Sequence, residues 1–323
     1  MQLQHWTGEV VGRDFEIPYV TVLSAYGPDT AAGRPRADWR DAAAVYKGWA
    51  ATQPWTARTL YERDDVPGVL LSGAAGVIVG LQDRTGYDGN TTFGPQLERL
   101  PAYVADLKER LHGTNIVLVP YGWEHHGTWA GIDYFPAVPS TSAWNAAAAA
   151  LNRTGDATML LVSGFWWVVK RGEYGQGPPF DDSAELPGRR SMLVKSPPAG
   201  DTVWEQDFFA PDEAGQKQPW RGLSVTLCHG DENASDLIAG ILAEANAIGA
   251  PLVSLDQTIG GGSNAPCYDP SHNHDPGWGS YMSEGLKRTM QLTRASAAAE
   301  GRPVGLSMVM REQSCSDVTP LSL

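Results

Sequence analysis

Short apolar runs alternate along the chain with longer stretches in which apolar residues recur every three or four positions. Residues 76–82 (GVIVGLQ), 115–123 (NIVLVPYGW), 158–169 (TMLLVSGFWWVV), 222–229 (GLSVTLCH), 251–257 (PLVSLDQ) and 303–312 (PVGLSMVMRE) read as strands, being short and rich in β-branched and aromatic residues. Between them, residues 97–112 set Leu100, Val104, Leu107 and Leu111 on one helical stripe stopped by Gly113. An Ala-rich helix is predicted over residues 142–152, another over 233–248 with Leu237, Ile238, Ile241, Leu242 and Ala245 inward, and a third over 282–299. Ahead of these, a helix opens at Asp38, a good N-cap type, and carries Trp39, Ala42, Val45, Tyr46 and Trp49 at helical spacing, while residues 17–26 (IPYVTVLSAY) read as a strand.

Continuously apolar strands separated by helices predict an α/β protein with a parallel sheet covered on both faces. The expected fold is a (β/α) barrel of TIM type with fewer than eight clear units, hence incomplete. Residues 1–60 are read as an N-terminal strand with a linking helix and 61–323 as the barrel. The Gly-, Pro- and Asp-rich stretch 170–220 is read as an insertion, with a small hairpin near 203–209.

Charge narrows the partners. Lys and Arg number 24 against 37 Asp and Glu, a net charge of −13, the wrong sign for a surface that neutralises phosphates, so nucleic acid is not an expected partner. No apolar run approaches the roughly 18 residues a spanning helix needs, so no membrane partner is expected. The start, MQLQHWTGEVVGRDFE, lacks a basic segment followed by an apolar one and reads as carrying no secretory leader, which leaves the compartment open between cytoplasmic and secreted. Cys228, Cys267 and Cys315 are too few and too odd in number for a disulfide scaffold. The chain is rich in aromatic tips, with 12 Trp and 11 Tyr, whose flat apolar faces suit the C–H face of a sugar ring as well as a protein core. Oligomeric state is not readable.

In parallel α/β folds the working residues follow the strands. The runs are followed by Gln82, Asp83 and Arg84; by Trp123, Glu124, His125 and His126; by Trp166 and Trp167; by Cys228, His229, Asp231 and Glu232; by Asp256 and Gln257; and by Arg311 and Glu312. Asp231 and Glu232 precede a helix, and capping accounts for them. Asp256 precedes the loop QTIGGGSN and Glu312 ends a strand, so capping accounts for neither. Two carboxyls at one barrel rim are what glycoside hydrolysis needs, one protonating the leaving oxygen and one acting as nucleophile or base. Asp256 and Glu312 are therefore the expected catalytic pair, with Glu124 the rival acid. Asp83, Trp123, Glu124, His125, His126, Trp166, His229, His272, His274 and Trp278 are the expected sugar contacts.

Other chemistries weigh less. Cys267, Asp269, His272, His274 and Asp275, with Cys228 and His229, are natural zinc-ligand types, but their spacing fits no standard pattern, so neither metal nor cofactor is assigned. A metal-dependent hydrolase using His229, Asp256, His272 and His274 stays as one alternative, and a non-catalytic carbohydrate-binding protein as another. Gly260–Gly262 is no phosphate loop, and no serine or cysteine nucleophile elbow is present.

The stretches DWRDAAAVYKGWA with QPW, RTGYDGN, VPYGWEHHGTW with DYFP, and LVSLDQTIGGGSNAPCYDPSHNHDPGWGSYMSEGLKRTM resemble a family of bacterial glycosidase-like barrel proteins of mostly undefined substrate. That family is distantly similar to the endo-α-N-acetylgalactosaminidase and α-galactosidase groups. The likeness runs from about Tyr19 to Glu312, and the block 256–279 is its most specific part. It implies a barrel, with Asp256 as nucleophile and Glu312 as acid/base. Family members usually carry a preceding β-sandwich and later barrel strands, neither of which is read in this chain, and MREQS matches the acid-bearing strand only loosely.

Overall fold

The structure is a computed structural model that describes residues 38–81, 96–125, 134–171, 180–181, 183–195, 205–207, 222–259 and 266–310, together with Ala25 and Gly27. The described residues up to Asp64 fall in one compact unit and those from Asp65 onward in another. The strand expected at 17–26 lies, apart from Ala25, outside the described residues.

In the first unit, α1 (Trp39–Ala50) begins at Asp38, whose carboxylate accepts the Arg40 N–H at 2.8 Å while Asp41 accepts the Asp38 N–H at 2.9 Å. This reciprocal capping satisfies donors the helix leaves over. The apolar stripe is real but uncovered: Trp39 is 73% exposed, Tyr46 58% and Trp49 43%. Tyr46 and Trp49 pack against each other, and Trp49 against Trp55, each pair at 5.5 Å.

The second unit runs α2 (Gly68–Leu71), β1 (Ala75–Gly80), α3 (Leu100–Arg110), β2 (Ile116–Tyr121), α4 (Thr141–Arg153), β3 (Ala157–Val162), β4 (Trp166–Arg171), β5 (Phe180–Asp181), a 3-10 segment (Ser183–Met192), β6 (Glu205–Asp207), β7 (Gly222–Thr226), α5 (Glu232–Ala247), β8 (Leu252–Ile259), α6 (Tyr281–Ala299) and β9 (Gly305–Met310). Five strands form one sheet in the order β1-β2-β3-β8-β9, every neighbouring pair parallel. The fold is thus mixed α/β with a parallel main sheet; the described residues form five strands of it, not a closed eight-strand barrel.

The inner strands β2 and β3, and β8 as far as Leu255, are buried almost throughout, which is why they are apolar rather than alternating, whereas β1 at the sheet edge alternates and leaves Ile78 68% exposed. Leu100, Val104, Ile116, Leu118, Leu160, Ile238, Leu242 and Val253 are all at most 1% exposed. Truncating such a residue to Ala costs about 2–5 kcal/mol, depending on how far the site collapses. Asp231 caps α5 as the sequence suggests, its carboxylate accepting the Ala234 N–H at 2.8 Å.

A second sheet, in the order β5-β4-β7-β6, is antiparallel and inserted between β3 and β8. It corrects two expectations. The run 158–169 is not one strand: it breaks after Val162 and resumes as β4 in the other sheet. The run at 222–229 is not a parallel strand but β7, paired antiparallel with β4 and β6. Trp166, Trp167, Val168 and Val169 are all buried, and a buried run looks the same in either kind of sheet. The break falls at Gly164, whose φ of +69° favours glycine and where a Cβ would lie 2.6 Å from the Asp256 carbonyl oxygen. The insertion therefore begins at β4 and takes in β7, wider than 170–220. β6 pairs with β7, and the rest of the hairpin expected at 203–209 lies outside the described residues.

Candidate functional site

Three parallel strands deliver polar groups at their carboxyl ends. Past β2 come Trp123 and Glu124, past β3 comes Ser163, and Asp256 lies in the later part of β8. The connection after β2 folds back on itself: the Trp123 carbonyl accepts the Val138 N–H at 2.8 Å and the His125 N–H donates to the Tyr134 carbonyl at 3.0 Å. This lays Tyr134 over the sheet end, where its hydroxyl oxygen accepts the Ser163 N–H at 2.7 Å. Burial raises the Tyr134 pKa above the usual phenol value, and the negative charges of Glu124 and Asp256 raise it further. Two carboxyls from different strands therefore bear on one phenol. Glu124 is buried and Asp256 half-buried, so the two sit in different surroundings.

Not every expected contact offers a surface. Trp123 is fully buried, flanked by Tyr134 at 5.9 Å and Phe135 at 5.7 Å, and Trp166 is 1% exposed inside the second sheet. Neither presents an open face to a sugar; both are packing residues that carry the site from beneath. His229 is buried and stacked on Phe165 at 3.9 Å, and among the described residues neither ring nitrogen has a hydrogen-bond partner. Burial pushes its pKa down to about 3, so the ring is neutral near pH 7. His125 and Trp278 are half-buried. Asp83, His126 and Glu312 lie outside the described residues, as does Cys315.

His272 and His274 are placed elsewhere. The sulfurs of Cys228 and Cys267 and one ring nitrogen of each histidine all lie within 4.8 Å of one another. Cys228 Sγ is 3.2 Å from His274 Nε2 and Cys267 Sγ is 3.3 Å from His272 Nδ1. The other nitrogens are also engaged, His272 Nε2 with the Ser191 carbonyl at 2.6 Å and His274 Nδ1 with the Asp275 carbonyl at 2.7 Å. No ring nitrogen is left for a sugar hydroxyl. Burial alone would lower the His272 pKa, but Cys267 and the Ser191 carbonyl outweigh it and raise it to about 9. Within the thiol pair, the contact with Cys228 holds Cys267 toward the thiolate while Cys228 keeps its proton. The set His229, Asp256, His272 and His274 does not assemble: the two histidines converge with two cysteines instead.

A groove at the opposite, amino end of the sheet is lined by Asn115, Asp156, Asn246 and Arg302 among others. Asp156 there accepts the Ile116 N–H at 2.8 Å and pairs with Lys108 at 3.2 Å, duties that brace the fold. Sequence reasoning did not single out Tyr134, whose only signal was its place in DYFP; it did group Cys228 with Cys267, His272 and His274, and the structure brings those four together. No described helix is long and apolar enough to cross a membrane.

Comparisons with known proteins bear on the fold. A family described as a domain of unknown function (DUF6259) matches residues 25–180. The chain is similar in fold to alpha-N-acetylgalactosaminidase NagBb from Bifidobacterium bifidum. In its GalNAc complex the match has a TM-score of 0.56 at 19% identity and covers 84% of this chain and 40% of that one. The ligand-free form gives 0.55 at 18% identity, covering 84% and 41%. The distant likeness to an α-N-acetylgalactosaminidase thus holds in fold, and this chain spans about two fifths of that protein's length. No curated protein matches the chain.

Proposed function

We propose that the protein is a glycoside hydrolase that cleaves an oligosaccharide or glycoconjugate with a pair of carboxyl groups and no cofactor. The observation that carries this reading is the placement of Glu124, Ser163 and Asp256 in the later parts of, or just past, the neighbouring parallel strands β2, β3 and β8, with the Tyr134 hydroxyl held to the Ser163 N–H at 2.7 Å. The fold match to an α-N-acetylgalactosaminidase supports it and makes α-linked N-acetylgalactosamine and galactose the first substrates to try.

Asp256, half-buried in β8, attacks or stabilises the anomeric carbon as the leaving oxygen departs. A second carboxyl protonates that oxygen. Glu312, which lies outside the described residues, is the acid the family resemblance implies. Glu124 is the acid the geometry favours, because it follows β2 in the same parallel sheet as Asp256 and is the more deeply buried of the two, which favours a carboxyl that keeps its proton. Leaving-group chemistry separates them. The variant lacking the true acid, Glu124→Gln or Glu312→Gln, loses most activity on substrates with a basic leaving group and little on activated aryl glycosides. The other variant falls equally on both. If neither shows that dependence, the carboxyl-pair mechanism is wrong.

A further inference from the structure

We propose that Cys228, Cys267, His272 and His274 bind one zinc ion as a closed structural site. Four donors of the soft and borderline kinds that zinc prefers converge, their ligand atoms all within 4.8 Å of one another. Zinc bonds of about 2.3 Å to sulfur and 2.0–2.1 Å to nitrogen put the atoms at tetrahedral corners about 3.6 Å apart. The two sulfur–nitrogen separations, 3.2 and 3.3 Å, are within a few tenths of an ångström of that figure. A two-iron cluster would spread its thiolate and imidazole pairs over separate irons, which so tight a set does not suit.

The surrounding hydrogen bonds orient the donors inward. A backbone carbonyl only accepts, so His272 Nε2 and His274 Nδ1 carry the hydrogens they give to Ser191 and Asp275. In a neutral ring that leaves the lone pair on His272 Nδ1 and on His274 Nε2, the two atoms that face the sulfurs. Fixing the tautomer through a carbonyl in this way is the usual outer support of a metal-bound histidine. The Gly230 N–H donates to Cys228 Sγ at 3.3 Å, a bond that suits a thiolate. Gly230 has to be glycine, since a Cβ would lie 2.2 Å from His274 Cδ2.

The cysteines are free thiols, not a disulfide. Tyr281 stacks on His274 at 3.7 Å, and its hydroxyl donates to the Gly277 carbonyl at 2.8 Å. With Val194 and Met282 it walls the sulfurs from water. Four protein donors leave no open position for a substrate or a water, so the ion holds structure and performs no hydrolysis. It ties the turn after β7 to the segment 267–274 and to the start of α6. The proposal stands or falls independently of any activity on sugars.

The test uses the full chain, made in zinc-supplemented culture and purified without chelator. Metal analysis is expected to find about one zinc per chain, and cobalt exchange to give the intense thiolate charge-transfer absorption and tetrahedral ligand-field bands. Cys228→Ser and His274→Ala should each weaken zinc binding by at least about a hundredfold, more than loss of an outer-sphere partner costs. Should those variants not fold, alkylation of the wild-type chain replaces them: zinc should protect Cys228 and Cys267, and chelation should expose both. A chain that stays metal-free and gives no tetrahedral cobalt spectrum overturns the proposal. So does a Cys228–Cys267 disulfide in peptide mapping, or zinc that binds undiminished to the variants and leaves both thiols reactive.

Discussion

The sheet end around Asp256 and the cysteine–histidine cluster draw on the same stock of polar residues and use it in opposite ways. At the sheet end, Glu124 and Asp256 act on Tyr134 through their charges, and Asp256 stays half-exposed. In the cluster, both nitrogens of each histidine are engaged, and His272 and both cysteines are buried. A half-exposed carboxyl is within reach of a substrate, whereas buried groups engaged through every donor and acceptor are committed to holding the chain. Residue type does not distinguish the two roles, and surroundings do.

The sharpest way to break the contrast is a pair of substitutions, one in each region. Asp256→Asn keeps the shape of a half-exposed side chain, so the melting temperature should hold while turnover falls by about a thousandfold or more. Cys267→Ser should do the reverse. It should cost about 2–5 kcal/mol of stability, read by denaturant unfolding, and leave kcat of the folded fraction within about twofold. If the cysteine variant loses turnover at full stability, the two regions are one site.

Tyr134→Phe sharpens the first region. It removes the oxygen that accepts the Ser163 N–H and leaves that buried donor unmatched, at a cost of about 1–3 kcal/mol. It also removes a hydroxyl at the end of β3, so the limbs of the pH–rate profile should move if Tyr134 adjoins the reacting acids; an unaltered profile would separate Tyr134 from them.

The smallest effect concerns His229, which directly follows Cys228 in sequence. Its folded pKa, about 3, is below the ordinary value of 6.5, so below pH 6.5 the unfolded chain binds the extra proton. Stability should therefore be full above that pH and fall as pH drops toward 3, by at most about 1.4 kcal/mol per pH unit. His229→Phe, which keeps a ring against Phe165, should flatten that slope in unfolding curves between about pH 7 and about pH 5. A slope the variant does not change would show that His229 is protonated in the folded chain.

The parallel strands and their helices were legible because covered strands are apolar throughout and covered helices carry a stripe, as at residues 115–121 and 233–247. Asp256 was read as closing its strand before a glycine loop, whereas β8 runs on to Ile259, so the strand reading stopped short. What local pattern could not carry was partnership at a distance. Residues 158–169 read as one strand because Gly164 alone marks the break, and β7 read as parallel because burial hides strand direction. Trp39, Tyr46 and Trp49 have core spacing on an exposed face, while Trp123 and Trp166, expected to meet sugar, are packed away. Cys228 and Cys267, well separated in sequence, are of zinc-ligand type by themselves, but their spacing alone did not show that they meet.

One measurement bears most directly on the catalytic reading: release of phenol from matched α- and β-linked aryl glycosides, aryl α-N-acetylgalactosaminide and α-galactoside included, by the wild-type chain and by Asp256→Asn. The account predicts hydrolysis of at least one linkage by the wild type and none above background by the variant. No hydrolysis of any member, or equal rates for the two chains, would contradict it.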